Sequence, residues 1–452
     1  MSEPRLPSSG ISRDLSPPRV RVRWWIFLYL FGFGFVAYFQ QRGITVASYQ
    51  MMPELHLTQE QIGWLLWWML LGYTALQFPG GVIGQRVGAR RMLVIISLLA
   101  FAATLSTPLL PLLLTGSALV VALLAAQLLL GASQGPIFPV STGVFETWFP
   151  ARQWPLVQGL QSMGLQLGAA LTPPLIASLM SSFGWQRALA WSSLPVLALI
   201  AGWAWYGRNT PAEHPAVTEA ELAELGPQAT ERVDEAISWR RVWELMRNRD
   251  VLALTASYIC MNYVFYLLAN WSFLYLVQER HFTVLEGGWL ASTPPLAAAI
   301  GAGVGGQLAS VLGERYGVRT GLRIIPLLSL PAAGLLQFAA VGAANPYLAV
   351  VALALCFAAV ELNEGPYWAA IMHVGRSDSM AAGGLLNTGG NLGGLICTPI
   401  VAYLSGHQAW TPAFLIGTGF AAVSAALWLV VDPTRGAIAG AATRGSVATA
   451  SG

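Results

Sequence analysis

The stretch Tyr-Phe-Gln-Gln-Arg at residues 38–42 places an arginine inside the first long apolar run of the chain. That run opens at Trp24 and stays mostly apolar to Met52. An arginine at the centre of a membrane span costs about 2.5–3.5 kcal/mol on insertion scales, so it usually faces a water-filled cavity or a counter-charge. Two interpretations follow. Arg42 is the electrostatic centre of an anion site, or it extends to the interface at the end of a long helix.

The composition is that of an integral membrane protein. Of 452 residues, 55% are hydrophobic and 10% are charged, whereas an ordinary soluble domain carries about 25% charged residues. All 24 basic residues are arginine, which excludes Schiff-base or general-base chemistry by lysine. The three cysteines lie far apart and the five histidines are scattered, so we expect no metal, cofactor or disulfide. No nucleophile–base pair lies within reach of the membrane. We therefore expect neither an enzyme nor a nucleic-acid partner.

Runs of about 20 apolar residues, the length that crosses a bilayer, occur twelve times in the sequence. They predict an all-α membrane protein with spans at 24–50, 60–80, 92–112, 117–145, 155–181, 187–207, 250–277, 286–312, 322–342, 346–372, 380–405 and 411–431. The predicted units are an N-terminal tail (1–23), a six-helix bundle (24–207), a linker (208–249), a second six-helix bundle (250–431) and a C-terminal tail (432–452).

The arginines predict the orientation of these spans. With the N-terminus inside, 21 of the 24 arginines lie on the cytoplasmic side, and the exceptions are Arg42, Arg187 and Arg280. This distribution predicts that both termini, and the linker, are cytoplasmic. The second span of each bundle also ends on a glycine pair, at 80–81 and at 305–306, followed by Gly-x-Arg. Such a parallel repeat is typical of a transporter whose two halves move around a central site.

The loop after the second span, Gly-Val-Ile-Gly-Gln-Arg-Val-Gly-Ala-Arg-Arg at 81–91, resembles the signature loop of the major facilitator superfamily. Further motifs resemble one branch, the anion:cation symporters. These are Tyr38 and Arg42, Tyr73 ahead of Gln77-Phe78-Pro79-Gly80-Gly81, Trp148-Phe149-Pro150, Gly184-Trp185-Gln186-Arg187, and Asn387 with Asn391. The resemblance covers residues 24–431. It implies the major facilitator fold and the import of organic anions such as sugar acids, usually with protons. It also implies that the arginine of the first span binds the substrate carboxylate.

The chain departs from that branch where the branch carries titratable groups. Gln41 replaces the acid before the arginine of the first span, and Gln127 and Gln134 occupy positions that often hold an arginine and a glutamate. Gln85 likewise replaces the usual acid of the signature loop. Glutamine does not titrate, so any proton coupling must use other groups.

Polar side chains recur at helical spacing in several spans, for example at residues 38, 42, 45 and 49 and at residues 258, 262, 266 and 270. Spacings of three and four place them on one helix face, as in a cavity lining. The residues expected to bind substrate are Arg42, Tyr38, Thr45, Tyr73, Gln134, Asn262, Tyr266, Asn387, Asn391 and Trp368. The alternative is hydrogen bonding between helices, worth about 0.6 kcal/mol per contact on average.

Two glutamates lie near the middle of the tenth predicted span. Glu361 and Glu364 are three residues apart, and helical spacing places them on one face together with Trp368. Two carboxylates at the bilayer midplane cannot both be ionised cheaply unless they are paired. Both are therefore candidates for proton coupling. The alternative is that one forms a structural bond between helices while the other faces water.

A cytoplasmic gate is predicted at Arg86, Arg90, Arg91 and Glu146, although these arginines could instead serve only to set the topology. In the linker, Thr218 and Glu221 have the spacing of a capping box. Residues 238–246 alternate apolar groups with arginine at helical spacing, which is typical of a helix on the membrane surface.

Together these features predict a secondary transporter that moves a small organic anion by alternating access. We expect a monomer in the bilayer of a bacterial inner membrane. A first alternative is an efflux antiporter, because Gly159, Gly168 and Thr172-Pro173 partly resemble the antiporter motif. A second is a transporter-like protein that senses a solute without moving it.

Overall fold

The computed structural model describes residues 21–225, 238–283, 290 and 292–435, and these fold almost entirely into α-helices. In chain order the helices are α1 (Val22–Leu55), α2 (Gln59–Val87), α3 (Ala89–Leu109), α4 (Gly116–Gln134), α5 (Ile137–Trp148), α6 (Trp154–Tyr206), α7 (Glu219–Leu225), α8 (Trp239–Arg247), α9 (Arg249–Gln278), α10 (Thr293–Tyr316), α11 (Val318–Gly342), α12 (Pro346–Glu361), α13 (Glu364–Gly375), α14 (Ser379–Gly406) and α15 (Trp410–Trp428). The all-α prediction is confirmed.

Within the described ranges, nine helical stretches are long and apolar enough to cross a membrane. Two of them, Ala151–Tyr206 and Pro346–Gly406, hold 56 and 61 residues, whereas one crossing needs about 20. Helix α2 is not one of the nine, and its apolar run includes Trp64, Trp67 and Gln77. The predicted apolar runs coincide with helices, except that the start of the run from 286 to 312 lies outside the described residues.

Glycine and proline break the helices inside two of these stretches. Helix α4 ends at Gln134 and α5 begins after Pro136, so the predicted span 117–145 is divided. Helix α6 changes direction at Gly184, whose φ of 78° is a conformation that glycine adopts without steric cost. Its two legs correspond to the two runs that the sequence predicts on either side of that glycine.

We name α1–α6 the first set and α9–α15 the second set. In the first set, α1 packs on α6, α2 on α4, and α3 on α4 and α6. In the second set, α9 packs on α14 and α15, α10 on α12, and α11 on α12 and α15. Two long crossings join the sets, α2 with α14 and α6 with α10. The arrangement therefore places α2, α6, α10 and α14 at the boundary between the sets.

Both crossings bring backbone against backbone through glycine. The contacts are Gly81 against Met380 and Gly384 against Gln77 between α2 and α14, and Gly306 against Pro155 and Gly159 against Ala302 between α6 and α10. A Cβ atom at each glycine would lie 2.3–2.7 Å from the carbonyl oxygen of its partner. Each residue of the contact between α2 and α14 has a counterpart in the contact between α6 and α10 whose number differs by 225, as the numbers of Gly81 and Gly306 do. The glycine pairs noted in the sequence thus occupy matching positions.

The two sets are also hydrogen-bonded at the end of the bundle where α1 begins and α15 ends. We call this end the tail side and the opposite end the far side. The Gln85 side chain donates to Asp378 Oδ1 at 2.7 Å, which joins α2 to the turn before α14. The Ser379 hydroxyl donates to the Glu146 carboxylate and joins α14 to α5. The tail side is therefore closed between the sets.

The linker helix α7 begins as the capping-box spacing predicts. The Glu221 amide donates to Thr218 Oγ1 at 3.2 Å. The Glu221 carboxylate, however, faces Arg23, whose side chain is buried 3.9 Å away. Burial raises the pKa of this carboxyl, an effect opposed by a backbone hydrogen bond and by the nearby Arg21 guanidinium. The linker is thereby anchored to the start of α1.

A second glutamate of α7 connects the linker to both sets. Glu224 accepts from Arg23 at 2.9 Å and from Arg152 at 2.8 Å. Arg152 in turn lies 3.6 Å from Glu314 near the end of α10. The two pairs of Arg152 are exposed, so each contributes little alone, but with the buried Arg23 they tie α7 to the closed tail side.

We expect Gly306→Ala to open the tail side, because the new methyl group would lie 2.5 Å from the Pro155 carbonyl oxygen. Overpacking of this kind costs about 1–3 kcal/mol. Spin labels at the exposed positions Ala212 and Arg315 should report a smaller fraction of short distances, and the melting temperature should fall. Gly313→Ala is the matched control on the same helix, since no atom lies within 4 Å of its added methyl. Equal behaviour of the two variants would contradict the close-packing argument.

Candidate functional site

A cavity lies between the two sets, beyond the closed tail side. It is lined by Tyr38, Tyr73, Phe138, Ser162, Leu165, Gln166, Tyr258, Asn262, Phe265, Tyr266, Glu361, Glu364, Trp368, Asn387 and Asn391. The lining is aromatic and polar, with tyrosine hydroxyls and amides from both sets. A concave site with convergent polar groups and aromatic surface is suited to a small polar molecule.

The cavity sits at the break between α12 and α13. Leu362 and Asn363 interrupt the helix, and the Asn363 amide donates to the freed carbonyls of Ala359 and Val360 at 2.9 Å each. Asn363 also accepts from Ser329 at 3.0 Å. Because backbone polar groups inside a membrane must be satisfied by protein, this asparagine stabilises the interruption. The break separates the two glutamates that flank it.

Glu364 is bonded within the second set. Its carboxylate accepts from the Tyr258 hydroxyl at 3.0 and 3.1 Å and from the Trp368 indole N–H at 3.0 Å. The Trp368 ring packs against Phe138 of the first set, with ring centroids 4.6 Å apart. Glu364 is therefore held by two neutral donors.

Glu361 is bonded across the boundary between the sets. It accepts from the Ser162 hydroxyl at 3.3 Å and from the Gln166 side chain, both on the first leg of α6. Within the described part of the chain neither glutamate of the cavity forms an ion pair with an arginine or histidine. Glu361, Glu364 and Trp368 line the same cavity, although the helix is interrupted between the two glutamates.

Tyrosine and amide groups close the side of the cavity formed by α2, α9 and α14. The Tyr266 hydroxyl donates to Asn391 Oδ1 at 2.6 Å, and Asn391 donates to Gln77 Oε1 at 3.0 Å. Tyr73 is hydrogen-bonded to Asn387 and Gln77. This chain of bonds crosses from the second set to the first and joins four of the side chains predicted to bind substrate.

Arg42 lies one helical turn beyond Tyr38 on α1, towards the far side. Its guanidinium is partly buried and interacts electrostatically with the hydroxyls of Tyr38 and Tyr266. It forms no ion pair or side-chain hydrogen bond with any other residue that the structure describes. It is not among the residues lining the cavity, and Thr45, one turn further, is exposed. The arginine is therefore placed at the far-side rim of the cavity.

Gln134 and Gln127 are buried within the first set, away from the cavity lining. Gln134 donates to Gln40 at 2.8 Å, and Gln127 donates to Thr107 at 3.2 Å. Neutral amide and hydroxyl pairs thus connect α4 to α1 and α3. The structure brings the other predicted binding residues Tyr38, Tyr73, Asn262, Tyr266, Asn387, Asn391 and Trp368 together around one cavity.

The predicted gate residues lie at the tail side, with different contacts. Glu146 accepts from Ser379 across the boundary between the sets. The Arg86 guanidinium lies 5.6 Å from the Trp239 ring centroid of the linker. Arg90 donates to the Ala204 carbonyl within the first set, and Arg91 is exposed. Glu146 thus makes a direct bond between the sets.

Three polar residues that the sequence prediction did not single out take part in these contacts. Ser162 and Gln166 bond Glu361, and Asp378 accepts from Gln85. The spacing of four between Ser162 and Gln166, inside an apolar run, is the signal that could have identified them. Across the described ranges, no group of three or more histidine, cysteine or acidic side chains is placed to hold a metal ion.

Comparison with known proteins gives consistent relatives. The profile described as Major Facilitator Superfamily matches residues 30–377. A protein of Cupriavidus necator named probable sulfoacetate transporter is 28% identical over 412 residues, covering 88% of this chain and 91% of the relative. A protein of Bacillus subtilis named probable galactarate/D-glucarate transporter is 24% identical over 432 residues, covering 92% and 93%. The solved proton:xylose symporter bound to 6-bromo-6-deoxy-D-glucose superimposes with a TM-score of 0.73 at 15% identity, covering 92% and 97%.

Proposed function

The chain belongs to the Major Facilitator Superfamily, and from this premise we propose that it is a secondary transporter of a small organic anion. The observation that carries the proposal is the cavity between the two helix sets. It combines hydroxyl and amide groups from both sets with an arginine at its rim. A site shared by two sets can be exposed to either side of the membrane by their relative motion.

We propose twelve membrane-spanning segments in two six-helix bundles, with both termini and the linker in the cytoplasm. The candidate stretches of 56 and 61 residues are each long enough for two crossings. The glycine contacts between α2 and α14 match those between α6 and α10, which supports two related bundles. Because arginines concentrate on the tail side, that side is assigned to the cytoplasm. The bundles are 24–207 and 250–431, and the chain acts as a monomer in a bacterial inner membrane.

The substrate class follows from the groups available. Arg42 supplies the positive charge that binds a carboxylate, and guanidinium–carboxylate pairs are strong and oriented. Tyr38, Tyr73, Tyr266, Asn262, Asn387 and Asn391 supply hydroxyls and amides suited to substrate hydroxyls, and Trp368 supplies an aromatic surface. The names of the relatives, which specify sulfoacetate and galactarate or D-glucarate, support an acid that is short or hydroxylated.

Glu361 and Glu364 carry the proton coupling in this proposal. They are the acidic residues of the cavity lining, and the positions of Gln41, Gln127 and Gln134 cannot titrate. Glu361 is the stronger candidate because its bonds to α6 cross the boundary between the sets. Gaining or losing a proton there changes a contact that holds the sets together.

The bonds at the tail side correspond to a state in which the cytoplasmic side is shut. Asp378 and Glu146 each accept a hydrogen bond that spans the sets. Alternating access requires these bonds to break when the cavity turns to the cytoplasm. Glu146 and Arg86 are proposed to belong to this gate, with Arg90 and Arg91 beside it.

A thermal-shift screen of the purified protein tests the substrate class. We expect sugar acids or sulfonated short-chain acids to raise the melting temperature by several degrees, because ligand at about 100 times its dissociation constant stabilises by about 2.7 kcal/mol. Aromatic acids and inorganic phosphate are the comparison compounds. Stabilisation only by apolar cations would contradict the proposal and favour the efflux antiporter.

A further inference from the structure

The short linker helix α8 lies at the start of a candidate membrane span. Asn248 alone separates it from α9, and its side chain accepts from the amides of Asp250 at 2.8 Å and Val251 at 3.2 Å. This cap fixes the direction in which α8 leaves α9. Helix α8 is therefore held at the tail-side boundary of the bilayer.

One face of α8 is apolar and exposed. Trp239, Trp243 and Met246 have exposed fractions of 72%, 56% and 38% and recur at spacings of four and three. Val242 and Leu245 are buried against the rest of the protein. Tryptophan is favoured at the membrane–water interface, where its ring is partly apolar and its N–H can reach water. The exposed apolar face is thus suited to the headgroup region.

Basic side chains flank this face. Arg240 is almost fully exposed and forms a surface pair with Glu244 at 2.9 Å. The Arg247 guanidinium lies 5.2 Å from the Trp243 ring centroid. Arg249, at the start of α9, is exposed as well. An amphipathic helix with tryptophan on one face and arginine beside it is complementary in charge to anionic phospholipid headgroups.

The opposite side of α8 reaches the contact that closes the tail side. Arg241 Nε lies 3.1 Å from Asp378 Oδ2, and the same guanidinium donates to Ser377 Oγ at 3.1 Å. Asp378 is the residue that also accepts from Gln85 of the first set. A single buried carboxylate therefore receives bonds from both α2 and α8.

We propose that α8 docks on an anionic lipid surface through Trp239, Trp243 and Met246, and that this docking holds Arg241 on Asp378. The lipid surface thereby stabilises the closed tail side. Arg240 and Arg247 supply the attraction to the headgroups, while the tryptophans anchor the helix at the correct depth. The inference concerns the linker and does not depend on which substrate the cavity takes.

The test uses the full-length protein in nanodiscs of phosphatidylcholine, with and without phosphatidylglycerol. Spin labels at Ala212 and Arg315 report the separation of the sets at the tail side. We expect phosphatidylglycerol to raise the ratio of short to long distances between the two labels about fivefold or more. An anionic surface attracts each nearby arginine and so favours the docked position of α8. Trp239→Ala with Trp243→Ala, and separately Arg240→Gln with Arg247→Gln, should remove this lipid dependence.

Trp205→Ala is the matched control, because Trp205 is 76% exposed at the end of α6 but lies outside α8. It should leave the lipid dependence unchanged. A fluorophore at position 246 should be quenched by nitroxide-bearing lipid more strongly than one at position 244. Unchanged lipid dependence in both double variants, or equal quenching at the two positions, would overturn the proposal. A similar shift caused by inorganic phosphate alone would indicate a soluble anion, and a shift seen only with two copies per disc would indicate self-association.

Discussion

Replacing Glu361 with glutamine is expected to reduce proton-driven accumulation of substrate at least about tenfold while leaving exchange of substrate across the membrane nearly intact. The carboxylate accepts bonds from Ser162 and Gln166 of the opposite set. Bonds to an ionised acceptor are about twice as strong as neutral ones, so a proton on Glu361 weakens the contact and removes negative charge from the cavity. An amide stays neutral at every pH and cannot carry the proton.

The affinity for an anionic substrate is expected to rise as the pH falls. In the unmodified protein, a falling pH places a proton on the cavity carboxylate, and the affinity for an anion should rise. In Glu361→Gln this pH dependence should be lost. The measurements are uptake and exchange in proteoliposomes, together with ligand affinity across pH.

Two further variants make this experiment decisive. Glu279→Gln changes an exposed carboxylate at the end of α9 and should leave accumulation unchanged. Glu364→Gln replaces the carboxylate that accepts from Tyr258 and Trp368 with a neutral amide that can still accept but cannot titrate. This variant reveals whether the second carboxylate shares the task. Full proton-driven accumulation in the double variant Glu361→Gln with Glu364→Gln would exclude both carboxylates.

The neutral partners of α4 explain why we place the coupling in the second set. Gln134 bonds Gln40, and Gln127 bonds Thr107. These amide and hydroxyl pairs connect helices without any group that changes charge. Among the described residues, the first set contributes no carboxylate to the cavity lining, so the proposed proton-dependent step is assigned to Glu361 and Glu364 on α12 and α13.

Much of the helical architecture could be predicted from local pattern alone. Apolar runs predict spans because length and hydropathy are properties of a single segment. The divisions at Gly135-Pro136 and at Gly184 are likewise local, since they follow from the backbone preferences of these residues. The resemblance in the signature loop at 81–91 then indicated the superfamily that the profile match confirms.

The arrangement of the site was less predictable because it depends on helix rotation and on breaks. Glu361 and Glu364 both line the cavity, but Glu361 bonds α6 while Glu364 bonds α9. The bond between Glu361 and Ser162 joins residues 199 apart in sequence. No spacing rule within one span contains that information.

Replacing Arg42 with alanine is expected to weaken binding of an organic anion about 10- to 100-fold. Hydrogen bonds to charged groups contribute about 1.5–3 kcal/mol, and each 1.4 kcal/mol corresponds to tenfold in affinity. The affinity of Arg42→Lys should lie between those of the unmodified protein and Arg42→Ala, because an ammonium keeps the charge but loses the planar pair of donors. The measurement is ligand affinity by calorimetry with the best compound from the thermal-shift screen.

A comparison of ligands separates the loss of charge recognition from a general defect. Arg42→Ala should weaken binding of the acid far more than binding of its uncharged amide, since hydroxyl contacts to Tyr266 and Asn391 remain. Arg187→Ala, which removes an exposed arginine elsewhere in the first set, should leave both affinities unchanged. Because Arg42 lies at the rim and interacts with the hydroxyls of Tyr38 and Tyr266, its charge can reach an anion in the cavity. If the affinity for the acid is unchanged in Arg42→Ala, Arg42 serves the far-side membrane interface instead, and the carboxylate must be bound by neutral donors alone.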